Sequence, residues 1–207
     1  QADLEKNALL SAHQLCERRG KKFVMDANAT RVWKLLLMYF SNDPRFEECG
    51  EGFSLKKSIF LKGEVGCGKT TILRAFEKNK KQCFKFYPCE QIAIDAKKQG
   101  DNGLATLDKF TKFISAGGEG VFYQPQIGWL LDDAGREALI NDYGTKLEQM
   151  QYILSQHYNR LEKGEGLCFH ITTNMDALQI ESRYGYYIRS RMRELYNVIN
   201  YSGEDRR

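Results

Sequence analysis

The stretch Gly63-Glu64-Val65-Gly66-Cys67-Gly68-Lys69-Thr70 restricts what this chain can become more than any other. It matches G-x-x-x-x-G-K-[ST] at every fixed position. Its setting predicts a strand, a loop and a helix, because an apolar run at 58–61 precedes it and a helical pattern at 71–78 follows. Glycines let the loop wrap tightly and turn successive N–H groups toward an anion. The helix behind adds the positive end of its dipole. Lys69 is then placed to reach the β- and γ-phosphates of a nucleotide, and the Thr70 hydroxyl to ligate Mg²⁺. The candidate nucleotide-binding residues are Gly63, Glu64, Val65, Gly66, Cys67, Gly68, Lys69, Thr70 and Thr71. A glycine-rich turn that matches by chance would lack the strand and helix on either side. Cys67 enters only through its backbone.

A triphosphate also needs a metal anchor and a group to orient water. Trp129-Leu130-Leu131 runs straight into Asp132-Asp133, which puts two carboxylates at the carboxyl end of an apolar strand. Ligands sit at that edge in open α/β sheets. Asp132 is the candidate to hold Mg²⁺ through water, and Asp133 the candidate general base. The alternative is a solvated Asp-Asp-Ala-Gly turn. Leu167–Asn174 repeats the pattern of an apolar strand with a polar end. If it neighbours the Asp132 strand, Asn174 can donate to the γ-phosphate or the attacking water; otherwise it caps a local turn. His170, inside that strand, reads as a core histidine.

Five apolar runs, at 58–61, 84–87, 127–131, 167–171 and 198–201, alternate with helical segments. This predicts an α/β fold with a five-stranded parallel sheet flanked by helices. Leu147, Met150, Leu154, Tyr158 and Leu161 mark a helix that Gly164-Glu165-Gly166 closes. Upstream, helices are expected at 4–19, stopping at Gly20, and at 30–40, with Thr30 as the N-cap. The second is apolar on nearly every side and should be buried. The segment from there to Leu55 reads as loop. Residues 1–54 are thus expected to form a helical segment packed on a core of 55–207.

Of the 207 residues 42% are apolar and 28% charged, which supports a packed core and argues against disorder. The net charge of +4 permits nucleic-acid contact without demanding it. The six cysteines include no CxxC pair, so zinc-ligand spacing is missing and free thiols in a reducing cytosol are expected. No stretch is long and apolar enough to span a bilayer, and no membrane role is expected. Arg183, Arg189, Arg191 and Arg193 cluster before the last apolar run. They read either as a basic helix face pairing with Glu181 and Glu194 or as the source of an arginine finger for a neighbouring subunit, with Arg191 favoured over Arg189.

Taken in order, these segments resemble an AAA+ ATPase of the DnaC/DnaI/IstB-like group. Leu131-Asp132-Asp133-Ala134-Gly135 is similar to that group's Walker B box. Ile153-Leu154-Ser155-Gln156-His157-Tyr158 is similar to the helix before its sensor-1 strand. Tyr184-Gly185 through Ser190-Arg191 looks like its arginine-finger helix, and Ser202-Gly203-Glu204-Asp205-Arg206 like the segment closing its ATPase core. The resemblance covers residues from about Leu55 onward. It implies Lys69 and Thr70 as Walker A, Asp132 and Asp133 as Walker B, Asn174 as sensor 1 and Arg191 as the finger. It further implies an ATP- and Mg²⁺-dependent cytoplasmic protein that self-associates and loads a replicative helicase, or assists a transposase. His157 departs from the group, which often has Arg there, and no C-terminal helical lid is expected.

Readings of another class remain open: a P-loop small-molecule kinase, or a nucleotide-holding switch with little hydrolysis, for which Asp133 in place of Glu offers mild support. Single-stranded DNA is a candidate partner. Lys78, Lys80, Lys81, Lys97, Lys98, Lys109 and Lys112 are interleaved with Phe110 and Phe113, although the ring spacing also suits a core.

Overall fold

A computed structural model describes residues 1–79, 83–98, 107–111, 114–115, 126–142, 145–162 and 168–206. Lys80, Lys81, Lys112, Phe113 and the Gly164–Gly166 stop lie outside the described residues.

Two helices open the chain, α1 (Ala2–Glu17) and α2 (Ala27–Phe40). The first ends as its sequence demands: Gly20 takes φ 67°, and the Lys21 N–H returns to the Cys16 carbonyl at 3.0 Å. The second begins earlier than the Thr30 cap predicts. Asp26 is the cap, its carboxylate accepting from the Ala29 N–H at 2.8 Å. Trp33, Leu36 and Phe40 of α2 are buried, and Phe40 stacks on Phe76 with ring centroids 4.9 Å apart. A 3₁₀ turn, Pro44–Glu48, interrupts the segment expected to be loop and buries Phe46.

The strands are β1 (Ser58–Lys62), β2 (Phe84–Pro88), β3 (Ile114–Ser115), β4 (Gln126–Ala134), β5 (Ile140–Asp142), β6 (Thr145–Leu147), β7 (Phe169–Thr173) and β8 (Tyr196–Asn200). The main sheet runs β2-β4-β7-β1-β8 with parallel pairing throughout, and short β3 adds antiparallel to β4. The five parallel strands are the five apolar runs of the sequence. Strand β5 and strand β6 form a separate antiparallel hairpin. Leu147 therefore belongs to β6, and the helix it was expected to begin starts at Gln149.

Between the strands lie α3 (Lys69–Arg74), α4 (Cys89–Lys98), α5 (Gln149–Glu162), α6 (Ala177–Tyr184) and α7 (Tyr186–Leu195). Two apolar clusters fill the layers. One joins α1 and α2 to Ile59, Leu61, Ile72 and Leu73, and the other joins α5, α6 and α7 to Phe169 and Ile171. His170 is a core residue: the Ile59 N–H donates into its Nδ1 at 3.0 Å. The neutral ring therefore carries its proton on Nε2, 2.9 Å from Cys168 Sγ, and burial lowers its pKa to about 3. No helix among the described residues is long and apolar enough to cross a membrane.

Candidate nucleotide site

The order β2-β4-β7-β1-β8 places β1 between β7 and β8, with β4 beyond β7. The carboxyl ends of β1, β4 and β7 meet at one edge, and the motifs end there. Gly63 to Gly68 form the turn between β1 and α3. Gly63 must be glycine, because a Cβ there would lie 1.9 Å from the Tyr201 carbonyl oxygen. Gly66 and Gly68 take φ of 86° and 97°, which a side chain would strain.

Lys69 begins α3 and is only 4% exposed. Its ammonium donates to the Gly63 carbonyl at 3.0 Å, the Glu64 carbonyl at 2.7 Å and Asn174 Oδ1 at 2.6 Å. These partners are all neutral, so among the described residues the cation has no carboxylate in contact. A buried charge in that state favours an anion beside it. Thr70 Oγ1 donates to Asp132 Oδ1 at 2.7 Å, and Thr172 Oγ1 donates to the same oxygen at 2.7 Å. Burial raises the Asp132 pKa, and the two hydroxyl bonds and nearby Lys69 oppose that shift.

Among the described residues, Asp133 is one of two other than glycine with positive φ, at 56°. Aspartate tolerates this region better than most residues, but the conformation must still be held. Its N–H donates to Thr172 Oγ1 at 2.9 Å. Its carboxylate accepts from Asn174 Nδ2 at 3.4 Å and pairs with Arg136 at 3.3 Å. Asn174 thus bridges Lys69 and Asp133. The pairing of β4 with β7 that this requires is present, with a register shift between Leu131 and Ala134.

A cavity of about 340 Å³ lies over these groups, lined among others by Val65, Gly66, Gly68, Lys69, Thr70, Thr71, Asp132, Asp133 and Asn174. The structure thereby brings together the loop, the acid pair and Asn174. Sequence reasoning missed the rest of the lining, which is made by Cys16, Arg19, Lys21, Lys22, Phe23, Val24, Arg136 and Arg206. Arg206 belongs to a tail that returns across the loop. Its N–H donates to the Gly66 carbonyl at 3.1 Å, its guanidinium donates to Tyr201 Oη at 2.8 Å, and it pairs with Asp26. The Ser202–Arg206 segment was legible as a closing element, but nothing in it signalled that reach. Thr172 was also missed, hidden in an apolar strand.

The arginine cluster divides. Arg189 pairs with Glu181, as a solvated helix face would, and Arg183 is drawn inward to Glu137 and Glu148. Arg191 lies over the Tyr158 ring at 4.4 Å and does not line the cavity of its own chain. Phe110 is fully buried, edge-on to Tyr87 and Trp129 at 4.9 Å each, so it is a core ring and offers no stacking surface to a base. Lys109 beside it is paired with Asp95. His157 stacks on Phe169 at 5.0 Å, and burial lowers its pKa to about 4.

The donor set fits magnesium. Thr70 and Asp132 offer one hydroxyl and one carboxylate oxygen side by side, and Mg²⁺ characteristically takes one or two protein oxygens with phosphate and water completing the shell. No group of three or more His, Cys, Asp or Glu side chains suited to an all-protein metal cage occurs among the described residues.

No family model matches the sequence, and no curated protein matches it either. Solved structures do match. A DnaC helicase loader aligns over 85% of this chain and 91% of that chain, at 20% identity and a TM-score of 0.55. AMPPCP-bound DnaA from Aquifex aeolicus aligns over 89% of this chain and 50% of that chain, at 16% identity and a TM-score of 0.51. At such identities the likeness is one of fold. With the sheet order and the site geometry, it shows that the chain shares the P-loop α/β fold of these two structures.

Proposed function

We propose that the chain is a magnesium-dependent ATPase acting in DNA replication as a helicase loader. One observation carries the nucleotide reading: a nearly buried lysine, with only neutral partners among the described residues, lines one cavity together with an acid pair. Lys69 binds the β- and γ-phosphates, exchanging its bonds to Asn174 and the loop carbonyls for phosphate oxygens. Thr70 and Asp132 hold magnesium, which supplies positive charge to the phosphate oxygens when bound. Asp133 takes the proton of the attacking water, and Asn174 orients that water or the γ-phosphate. Arg191, outside its own cavity, completes the site of a neighbouring copy as an arginine finger. The loader role and a helicase as partner rest on the likeness to a DnaC helicase loader; self-association and the replicative kind of helicase rest on the sequence resemblance that also makes Arg191 the finger. Residues 1–54 would then act as an appendage whose residues between Cys16 and Val24 help to wall the nucleotide site.

Calorimetric titration with ATP, with and without magnesium, tests the nucleotide reading. Uptake should require magnesium, and its absence would sink the proposal. Hydrolysis should rise more than linearly with protein concentration, and Arg191→Ala should abolish it while sparing ATP binding. Turnover that is linear and indifferent to that change would point instead to a monomeric P-loop kinase.

A further inference from the structure

We propose that Arg183 is a positioning residue for Asp133, locking the Asp133–Gly135 turn in the conformation that water activation needs. This rests on the functional reading above and concerns groups that reading does not use.

The turn is unusual in its backbone. Asp133 has φ 56° and Gly135 φ 104°, so two of three successive residues occupy the left-handed half of conformational space. Left alone, such a turn would relax, and the Asp133 carboxylate would swing with it. Its polar backbone groups are pinned one by one. The Asp133 N–H donates to Thr172 Oγ1, and the Ala134 carbonyl accepts from Thr173 Oγ1 at 2.7 Å. The Gly135 N–H donates to Glu137 Oε2 at 2.8 Å, and the Gly135 carbonyl accepts from Arg183 Nη1 at 2.7 Å. The first two pins come from β7, a rigid central strand. The last two come from Arg183 and Glu137.

Arg183 is built for that task. Nη1 of its guanidinium donates to the Gly135 carbonyl while Nη2 donates to the Glu137 carbonyl at 2.5 Å. The same group pairs with the Glu137 carboxylate at 3.3 Å and the Glu148 carboxylate at 3.4 Å. Glu137 is 3% exposed, and Tyr184 Oη donates to it at 2.6 Å. A single planar fork therefore ties the turn to α6 and to the start of α5. A lysine has the charge but lacks the fork, and cannot serve two carbonyls and two carboxylates at once.

The test is Arg183→Lys, alone and combined with Asp133→Asn, with magnesium-ATP affinity and kcat measured separately. Arg183→Lys should leave the ATP Kd within about twofold and lower kcat about 10- to 100-fold, the cost of an ångström-scale misplacement. Because Arg183 acts through Asp133, the same change in the Asp133→Asn background should lower kcat less than about twofold. A wild-type kcat in Arg183→Lys, or effects that multiply in the double variant, would overturn the inference. Should thermal melting show Arg183→Lys unfolded, Tyr184→Phe carries the test by loosening Glu137. A kcat lower by about threefold at unchanged Kd supports the proposal, and an unchanged kcat overturns it. Asp133→Asn hydrolysing at the wild-type rate would sink the functional reading itself, a separate result.

Discussion

Thr172→Val separates shape from polarity at the centre of the site. Valine fills the same volume, so no cavity opens in the fully buried position. Two hydrogen bonds disappear with the hydroxyl: its donation to Asp132 Oδ1 at 2.7 Å and its acceptance from the Asp133 N–H at 2.9 Å. A bond to a charged acceptor contributes about 1.5–3 kcal/mol, and an N–H left without a partner costs about 1–3 kcal/mol. The methyl group returns roughly 0.8 kcal/mol of apolar burial. Solvent at the cavity mouth can reach part of the Asp133 turn, which trims the penalty. A net destabilisation of about 2–4 kcal/mol follows. Urea unfolding should show it as a lower midpoint at unchanged slope, because the variant exposes the same surface on unfolding. A change below about 0.5 kcal/mol, the range of an inert surface substitution, would refute the reasoning. The hydroxyl would then not be holding the acid pair.

Three further outcomes are expected. Lys69→Ala should raise the Kd for magnesium-ATP at least about tenfold while the fold survives, as read by calorimetry and circular dichroism, because a cation facing the phosphates is lost. Glu148 has its pKa raised from 4.5 to about 7, first by burial and then by its bond to Glu137, with Arg183 opposing. Its folded value lies above its unfolded one, so its stabilisation is present below pH 4.5 and lost as pH rises toward 7. Wild type should therefore lose stability relative to Glu148→Gln as pH rises from 5 to 7.5, and a constant difference between their urea midpoints would count against this. Asp26→Ala removes the α2 cap and the partner of Arg206, and should cost about 1–2 kcal/mol by the same unfolding assay.

The parts of the fold that were legible obey short-range rules. The central strands β1 and β4 announced themselves because a strand covered on both faces is apolar along most of its length, whereas edge strands β2 and β8 carry exposed positions and were legible from their alternation with helices; the loop was legible because only glycines fit its turns. Asp132 and Asp133 were legible because they stand at the carboxyl end of such a strand, and Asn174 because it directly follows β7. The α2 start was misread because Thr30 and Asp26 both suit a cap. Asp26 prevails with its bond to Ala29 and its pairing with Arg206, a residue remote in sequence. Leu147 fitted the helical stripe but was taken by the β5–β6 hairpin, since a three-residue strand leaves too short a pattern to compete. Arg19, Lys21 and Lys22 of the cavity wall were invisible because cationic surface residues look alike until the fold selects a few. Arg183 was grouped with its neighbours on spacing alone, and only burial of Glu137 sets it apart.

That wall has a thermodynamic consequence. Cys16 lies in α1, Arg19 just beyond it, and both border the same space as Lys69 and Thr70. If a protein gripping α1 shifts that border, it must change the affinity for whatever the space holds. Reciprocity then requires the occupant to alter the grip on α1 by an equal factor. A message between the two would need no long relay, because the helix end and the phosphate loop already share a boundary.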